Sequence, residues 1–162
     1  MIEDKIFSHA EAKQQIQQWQ QAGQKVVFTN GCFDLIHAGH VRYLEQARAI
    51  GDKLVVAIND DASVRALKGE SRPIQPVTDR AMIIAALASV DMVVVFHEFN
   101  TDNLLLELRP NVMAKGGDYT IDTIVQSERR LVEGYGGEVA IVPMCGATST
   151  TRIVQKILSQ DS

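Results

Sequence analysis

Cysteine is scarce in this chain of 162 residues, which has only Cys32 and Cys145, far apart and in no C-x-x-C pattern. A disulfide framework and a four-cysteine zinc site are therefore excluded. An excess of basic charge is also lacking, because 16 Lys and Arg oppose 20 Asp and Glu and leave a formal net charge of −4. That balance argues against a nucleic-acid partner, since a non-specific DNA binder needs a basic face.

The sequence also lacks an apolar run long enough to cross a bilayer. Its most apolar stretch, residues 81–96, is interrupted by Ser89 and Asp91 and is shorter than the ~20 residues that a membrane span needs. The first residues are acidic, whereas a signal peptide begins with basic residues and an apolar run. We therefore expect a reduced, cytoplasmic protein with no membrane partner.

What the chain does contain is an alternation of short β-branched runs with helical segments. The runs predicted as strands are residues 25–29, 53–58, 91–96, 111–115 and 138–142. They are apolar throughout, as in strands that are covered on both faces. The alternation predicts an α/β fold with a Rossmann-like, doubly wound sheet of five parallel strands. We expect an N-terminal helix within residues 1–24 and a single domain over residues 25–162.

The loop after the first predicted strand carries a pair of histidines. In such a sheet a ligand binds beyond the carboxyl ends of the strands. This loop, T-N-G-C-F-D-L-I-H-A-G-H, has neither the dinucleotide fingerprint nor the P-loop spacing. It places His37 and His40 at the start of a helix, where free amides and the helix dipole favour an anion. Half of a metal site and an ordinary structural role remain open for the pair, and Asp34 is interpreted first as a loop or cap residue.

Two other strand ends carry hydroxyl groups or a mobile cation. The last loop places Ser149, Thr150 and Thr151 before a helix, which is more than simple helix capping requires. The fourth strand ends in Lys115, before two glycines that let a ligand lie against the backbone. Capping alone and an ordinary strand end remain the alternatives for these two loops.

Further cations follow the second strand. Lys68 and Arg72 lie on a predicted loop, for which a solvated surface is the alternative interpretation. Arg80 begins a helix, where the dipole disfavours a cation, so we expect it to have an anionic partner. The chain has a net negative charge, so basic residues gathered at one predicted edge predict a local positive region that binds phosphates. These residues are His37, His40, Lys68, Arg72, Lys115 and Arg152.

Several motifs occur together in the order of a known family. They are T-N-G-C-F-D-L-I-H-A-G-H at Thr29, K-G-E-S-R-P at Lys68, D-R-A at Asp79, V-D-M-V-V-V-F at Val90, K-G-G-D-Y at Lys115 and S-T-T-R-I at Ser149. This set resembles the cytidylyltransferase-like nucleotidyltransferases and, within them, the D-glycero-β-D-manno-heptose 1-phosphate adenylyltransferases. H-x-G-H marks only the superfamily, and its combination with K-G-G-D-Y is more specific. Ala147 and Gln126 depart from glycines that are common in the family.

The resemblance implies a reaction and a set of site residues. ATP and the heptose 1-phosphate would give ADP-heptose and pyrophosphate, as a precursor of the lipopolysaccharide core. The catalytic residues implied are His37, His40 and Lys115. These three would also bind the nucleotide, together with Thr29, Asn30, Gly31, Phe33, Asp118, Ser149, Thr150 and Thr151. The residues implied for the substrate phosphate are Lys68, Arg72 and Arg80.

The resemblance further implies Mg²⁺ held mainly by the nucleotide phosphates, with no protein ligand set for a metal. A homodimer is also expected from it. Two rival functions remain open. One is a glycerol 3-phosphate cytidylyltransferase-like enzyme that uses CTP, and the other is a non-catalytic module that senses nucleotides.

Overall fold

The computed structural model describes residues 1–117, 119–143, 146 and 148–160. Within them, one sheet contains six strands: β1 (Ile6–Phe7), β2 (Val26–Gly31), β3 (Lys53–Asn59), β4 (Met92–Phe96), β5 (Val112–Gly116) and β6 (Glu138–Val142). The α-helices are α1 (His9–Gln21), α2 (Ala38–Arg48), α3 (Asp61–Lys68), α4 (Val77–Ala85), α5 (Asp102–Leu108), α6 (Gln126–Gly134) and α7 (Thr150–Leu158). A short 3₁₀ turn, Glu3–Lys5, precedes β1.

All neighbouring strands of the sheet are parallel, in the order β1-β4-β3-β2-β5-β6. The strand order reverses between β2 and β5, and a ligand crevice is expected outside the carboxyl ends at such a point. The register between these two strands joins Val27 to Val112 and Phe28 to Met113. Both strands continue beyond that register, so their last residues face a gap in the sheet.

Helices cover both faces of the sheet. One core cluster packs Leu44 of α2 and Ile84 of α4 against the sheet, and the other packs Ile16 of α1 and Leu105 of α5 against the opposite face. Burial on both faces is why the strands are apolar at every position rather than at alternate ones. The predicted α/β, Rossmann-like, doubly wound parallel sheet is confirmed.

The predicted count of five strands is wrong, because β1 is a sixth strand. Ile6 and Phe7 pair with Val93 and Val94 at the edge of the sheet. A strand of two residues is too short to show any periodicity, so nothing in the sequence marked it.

The predicted N-terminal helix is α1. Ser8 caps it, and the side chains of Ser8 and Glu11 form a reciprocal capping box. Ala12 and Ile16 are buried beneath the sheet. The boundary at residues 24 and 25 between two parts of the chain remains a prediction. In the described part of the chain, no helix is both long and apolar enough to cross a membrane.

Candidate active site

The first element of the site is a stacked pair of imidazoles at the start of α2. His37 is the N-cap residue, and its Nδ1 accepts a hydrogen bond of 3.1 Å from the Gly39 amide. His40 lies three residues further on, at the spacing that brings side chains onto one helix face. The two rings stack with centroids 3.9 Å apart, and the Phe33 ring lies edge-on to His40 at 5.3 Å. Phe33 thus holds the ring of His40 from the side.

Both imidazoles are uncharged at neutral pH. Burial lowers the pKa of His37. Burial and the neighbouring His37 lower the pKa of His40 to about 4, while the Leu35 carbonyl acts in the opposite direction. Among the described residues, Nδ1 of His40 is buried and has no hydrogen-bond partner. Because Nδ1 of His37 accepts from Gly39, the neutral ring carries its proton on Nε2, which can donate to a phosphate oxygen.

Lys115 lies where β2 and β5 separate. Its Nζ donates to Asn30 Oδ1 at 2.8 Å and lies 2.7 Å from Glu128 Oε2. The contact with Glu128 is a close ion pair that is not aligned as a hydrogen bond. Glu128 belongs to α6 and is buried, and its Oε1 accepts a hydrogen bond of 2.5 Å from the Thr101 hydroxyl. The ammonium group is therefore fixed between one strand and one helix.

Three neighbouring cavities occupy the crevice beside these groups. A cavity of about 450 Å³ is lined by both histidines and by Lys68, Arg72 and the hydroxyl residues of the last loop. A cavity of about 220 Å³ is lined by Lys115 and Asn30. A third, of about 170 Å³, shares Phe33 and His40 with the first and Asn30 with the second. The crevice thus brings most of the predicted site residues together.

The hydroxyl residues of the last loop have structural roles at the same place. Ser149 caps α7 and accepts a hydrogen bond of 3.1 Å from the Arg152 amide. The Thr150 hydroxyl donates to the Leu35 carbonyl at 3.0 Å. Ser149, Thr150 and Thr151 nevertheless line the large cavity, so capping and ligand contact are compatible here. The predicted residue Asp118 lies outside the described residues, as do Cys145 and Ala147.

Asp34 organises the loop that follows α3. Its buried carboxylate accepts from Arg72 Nε at 2.6 Å and from the amides of Ile74 and Gln75. Although burial acts in the opposite direction, these hydrogen bonds and the Arg72 charge hold the pKa of Asp34 below its usual range. Asp34 thus acts as the loop residue that the sequence predicted, and it also holds Arg72 beside the cavity.

Arg80 is fully buried and is not placed to touch a substrate phosphate. Its guanidinium donates to the carbonyls of Cys32 and Asn59 at 2.7 and 2.8 Å and forms an ion pair of 2.7 Å with Asp61. The prediction of an anionic partner is confirmed, but that partner is a carboxylate of the protein. Arg80 instead ties the loops after β2 and β3 together, which explains why it is buried.

A buried tyrosine joins α2 to both strands of the gap. Tyr43 donates to the Ala114 carbonyl at 3.2 Å, so the Thr29 hydroxyl is the donor in their mutual contact of 2.7 Å. Burial raises the pKa of Tyr43 to about 12. A Cβ on Gly116 would lie 2.5 Å from the Tyr43 ring, so this position has no room for a side chain. The Thr29 hydroxyl is therefore bonded to Tyr43 in the interior of the protein.

Two residues of the site escaped the sequence interpretation. Neither Glu128 nor Thr101 directly follows a strand or belongs to one of the motifs described above. A signal was present, because Ile124, Glu128 and Val132 recur at i, i+4 and i+8 and the two apolar members are buried. A carboxylate on the apolar face of a helix needs a buried partner.

The match to known proteins begins with a family model. The model described as Cytidylyltransferase-like matches residues 28–156. This chain belongs to the cytidylyltransferase-like family. The matched residues contain the histidine pair, Lys115 and the start of α7, so the crevice described above lies within the part shared by the family. Membership confirms the prediction of a nucleotidyltransferase.

Two curated relatives are more than half identical to this chain over most of its length. This cytidylyltransferase-like chain is 53% identical to the Bifunctional protein HldE of Magnetococcus marinus over 157 residues, 97% of this chain and 32% of that protein. It is 56% identical to the Bifunctional protein HldE of Ectopseudomonas mendocina over 135 residues, 83% of this chain and 28% of that protein. The chain therefore spans about a third or less of the length of these relatives.

Solved structures agree with the fold of the family. A lipopolysaccharide core biosynthesis protein from Thermoplasma volcanium is 28% identical, with a TM-score of 0.62, and the match covers 78% of this chain and 100% of that one. A pantoate-beta-alanine ligase from Francisella tularensis, complexed with beta-gamma ATP and beta-alanine, has a TM-score of 0.55 at 17% identity. That match covers 89% of this chain and 76% of the ligase and supports the fold alone.

Proposed function

We propose that this chain transfers the adenylyl group of ATP to D-glycero-β-D-manno-heptose 1-phosphate, giving ADP-heptose and pyrophosphate. The observation that carries the proposal is the 53% identity to a protein named Bifunctional protein HldE over 97% of the chain. The K-G-G-D-Y motif that begins at Lys115 supports the same choice of acceptor.

The chemistry proposed is an in-line displacement at the α-phosphorus of ATP. An oxygen of the sugar phosphate attacks, and pyrophosphate leaves, with no covalent intermediate on the protein. Such a reaction depends on positioning and on hydrogen-bond donors for the developing charge. The N–H groups of His37 and His40 would donate to the phosphates, and the Lys115 ammonium would bear on the α-phosphate. Asn30, Gly31 and the hydroxyl residues at 149–151 would line the nucleotide.

Lys68 is the residue that we propose for the phosphate of the acceptor sugar. It lines the large cavity beside the histidines, and its flexible ammonium suits a mobile phosphate. Arg72 lines the same cavity, so it would act from a fixed position against Asp34. Arg80 is not included, because its guanidinium is buried and bonded to the protein.

Mg²⁺ is proposed as the cofactor, held mainly by the phosphate oxygens of ATP. Among the described residues, no group of three or more His, Cys, Asp or Glu side chains could hold a metal ion. Phosphates and water suit Mg²⁺, which keeps much of its hydration shell in proteins. When bound, the ion would neutralise charge on the leaving pyrophosphate.

The setting of the reaction is proposed on the same grounds. The product would serve as a precursor of the lipopolysaccharide core, and the protein would act in the cytoplasm as a homodimer. Residues 25–162 would form the nucleotidyltransferase domain, with α1 as an N-terminal addition. Light scattering of the purified chain would test the homodimer.

The experiment that tests the function is an assay of pyrophosphate release with Mg²⁺. ATP and CTP are each combined with the heptose 1-phosphate and with glycerol 3-phosphate. Turnover with only ATP and the heptose 1-phosphate is the expected result. The family name favours a second candidate, a cytidylyltransferase, and turnover with CTP and glycerol 3-phosphate would replace our proposal with it. Tight ATP binding without turnover of any pair would favour a nucleotide sensor.

A further inference from the structure

The ion pair between Lys115 and Glu128 has a feature that catalysis by Lys115 alone does not explain. The Glu128 side chain is 3% exposed and that of Lys115 is 15% exposed. Burying a carboxylate is unfavourable unless it is paired and hydrogen-bonded. An apolar residue at position 128 would fit the stripe formed by Ile124 and Val132, so the carboxylate is not needed for packing.

The carboxylate is itself held in place from the other side. The Thr101 hydroxyl, which is fully buried at the start of α5, donates to Glu128 Oε1 at 2.5 Å. Oε2 is thereby turned toward Lys115, and Asn30 of β2 provides the second contact of the ammonium. Thr101, Glu128, Lys115 and Asn30 thus form a continuous chain from α5 through α6 to the gap between β5 and β2.

This chain of contacts ends at the reaction crevice. Lys115 and Asn30 both line the cavity of about 220 Å³. Lysine is a cation on a flexible stem, and the hydrogen bond to Asn30 together with the ion pair to Glu128 restricts where its ammonium lies. A flexible cation that is held before the ligand arrives has less conformational entropy to lose in the transition state.

We propose that Glu128 is a positioning residue that, together with Thr101, holds the Lys115 ammonium in the pose that the transferred phosphate requires. This inference rests on the proposed function, since it concerns the same crevice and the same lysine. It adds two residues, on α5 and α6, that make no contact with substrate and act only through Lys115.

The test is a double-mutant cycle in the pyrophosphate-release assay, using Glu128→Gln, Lys115→Met and the double variant. Glutamine keeps an acceptor for Thr101 but removes the charge that orients Lys115. We expect Glu128→Gln to lower kcat roughly 10-fold, with a change in KM for ATP of about 2-fold or less. In the Lys115→Met background the same substitution should change kcat by less than about 2-fold, because residues acting as a unit are not additive.

Controls separate positioning from a loss of folding. Glu133→Gln on the same helix removes an exposed carboxylate, half of whose side chain is in solvent, and should leave kcat unchanged. Thr101→Val removes the hydroxyl while keeping the Glu128 charge, and should lower kcat by a smaller factor than Glu128→Gln. Thermal unfolding of each variant identifies any that is not folded, and Thr101→Val then takes the place of Glu128→Gln in the cycle.

A readout without turnover completes the test. The time course of amine acylation at Lys115, followed by mass spectrometry, reports how accessible the amine is in the absence of substrate. We expect faster acylation in Glu128→Gln, since the side chain is released from its ion pair with the buried carboxylate. Equal fold losses in kcat in both backgrounds, or an unchanged acylation profile, would overturn the inference. If the wild type releases no pyrophosphate, the proposed function fails, and the acylation profile alone decides the role of Glu128.

Discussion

Two kinds of basic side chain lie at the carboxyl ends of the strands, and they differ in their partners. One kind is the arginine and lysine cations, and the other is the pair of histidine rings. Three cations each lie within 2.7 Å of a carboxylate: Arg72 with Asp34, Arg80 with Asp61, and Lys115 with Glu128. The imidazoles of His37 and His40 lie against each other, and in the described part of the chain no carboxylate forms an ion pair with them. The three cations are thus held in place by ion pairs, whereas the lowered pKa values leave the two imidazoles uncharged.

The difference teaches that many basic residues at one edge of the sheet do not by themselves give that edge a net positive charge. Much of the positive charge expected from the sequence is neutralised within the protein and serves to fix loops. Under the proposed function, the donors for a phosphate are instead uncharged N–H groups at a helix start, where the backbone amides add to them. Substitutions on both sides of this comparison test whether the roles are as distinct as the contacts indicate.

The largest effect on stability is expected for Arg80→Met. The substitution leaves the Cys32 and Asn59 carbonyls without their donor in the interior, and it removes the ion-pair partner of Asp61, whose side chain is 31% exposed. We expect the free energy of unfolding to fall by about 3–5 kcal/mol, chiefly from the unsatisfied carbonyls, measured by urea denaturation. Lys25→Met, which breaks an exposed pair with Glu138, is the control and should change it by less than about 1 kcal/mol. A loss as small as the control's would show that Arg80 is dispensable for the fold.

On the other side of the comparison, His40→Ala should remove activity and leave stability nearly intact. Loss of one donor to the developing charge lowers kcat by about 10²–10³-fold in comparable sites. Pyrophosphate release and thermal unfolding measure the two effects separately. His97→Ala is the control, because His97 also follows a strand but its side chain is 74% exposed. Similar activity of the two variants would contradict the assignment of the histidine pair.

A smaller effect is expected for Asp34→Asn, which weakens the hold on Arg72 and the amides after it. The free energy of unfolding should fall by about 1–3 kcal/mol at pH 7. Because folding lowers the pKa of Asp34, its contribution is complete above the unfolded value near 4 and is lost as pH falls through the folded pKa. Urea denaturation between pH 6 and pH 3 should therefore show the wild type and the variant converging. A constant difference across that range would exclude the carboxylate charge as the cause.

The smallest expected effect is on the pH at which the His40 ring is protonated. Since its pKa is lowered to about 4, the NMR signals of its ring should titrate well below those of an exposed histidine. The unfolded chain binds this proton more readily, so stability should fall as pH decreases from about 6.5 toward 4. Binding of ATP should raise the midpoint, because phosphate oxygens favour the charged ring. A midpoint near 6.5 without ATP would mean that the ring is more solvated than its burial indicates.

Much of the fold could be predicted because its signal is local. Five strands and the helices between them follow from apolar runs and helix periodicity, and both faces of the sheet are buried as those runs indicated. β1 could not be predicted, since Ile6 and Phe7 are a strand only because the edge of β4 is there to pair with them. The pairing depends on the assembled sheet and not on the two residues.

The grouping of the candidate site residues was predictable to the same extent. Strand ends identified His37, His40, Lys68 and Lys115, because parallel strands bring their carboxyl ends to one edge. The state of each group was not predictable, since it depends on contacts between residues far apart in the sequence. Lys115 was expected to bind the nucleotide and Arg80 a substrate phosphate, and each is paired with a carboxylate on another element.

The ring of Tyr43 sets the distance between the helix of the histidine pair and the strands on either side of the gap. It lies between the helix that begins at the histidines and the two strands that carry Thr29 and Ala114, with its edge against Gly116. The ring therefore acts as a spacer of fixed thickness between the imidazoles and the ammonium of Lys115. A methyl group at position 116 would move the helix relative to the sheet and change the separation of the imidazoles from the ammonium of Lys115.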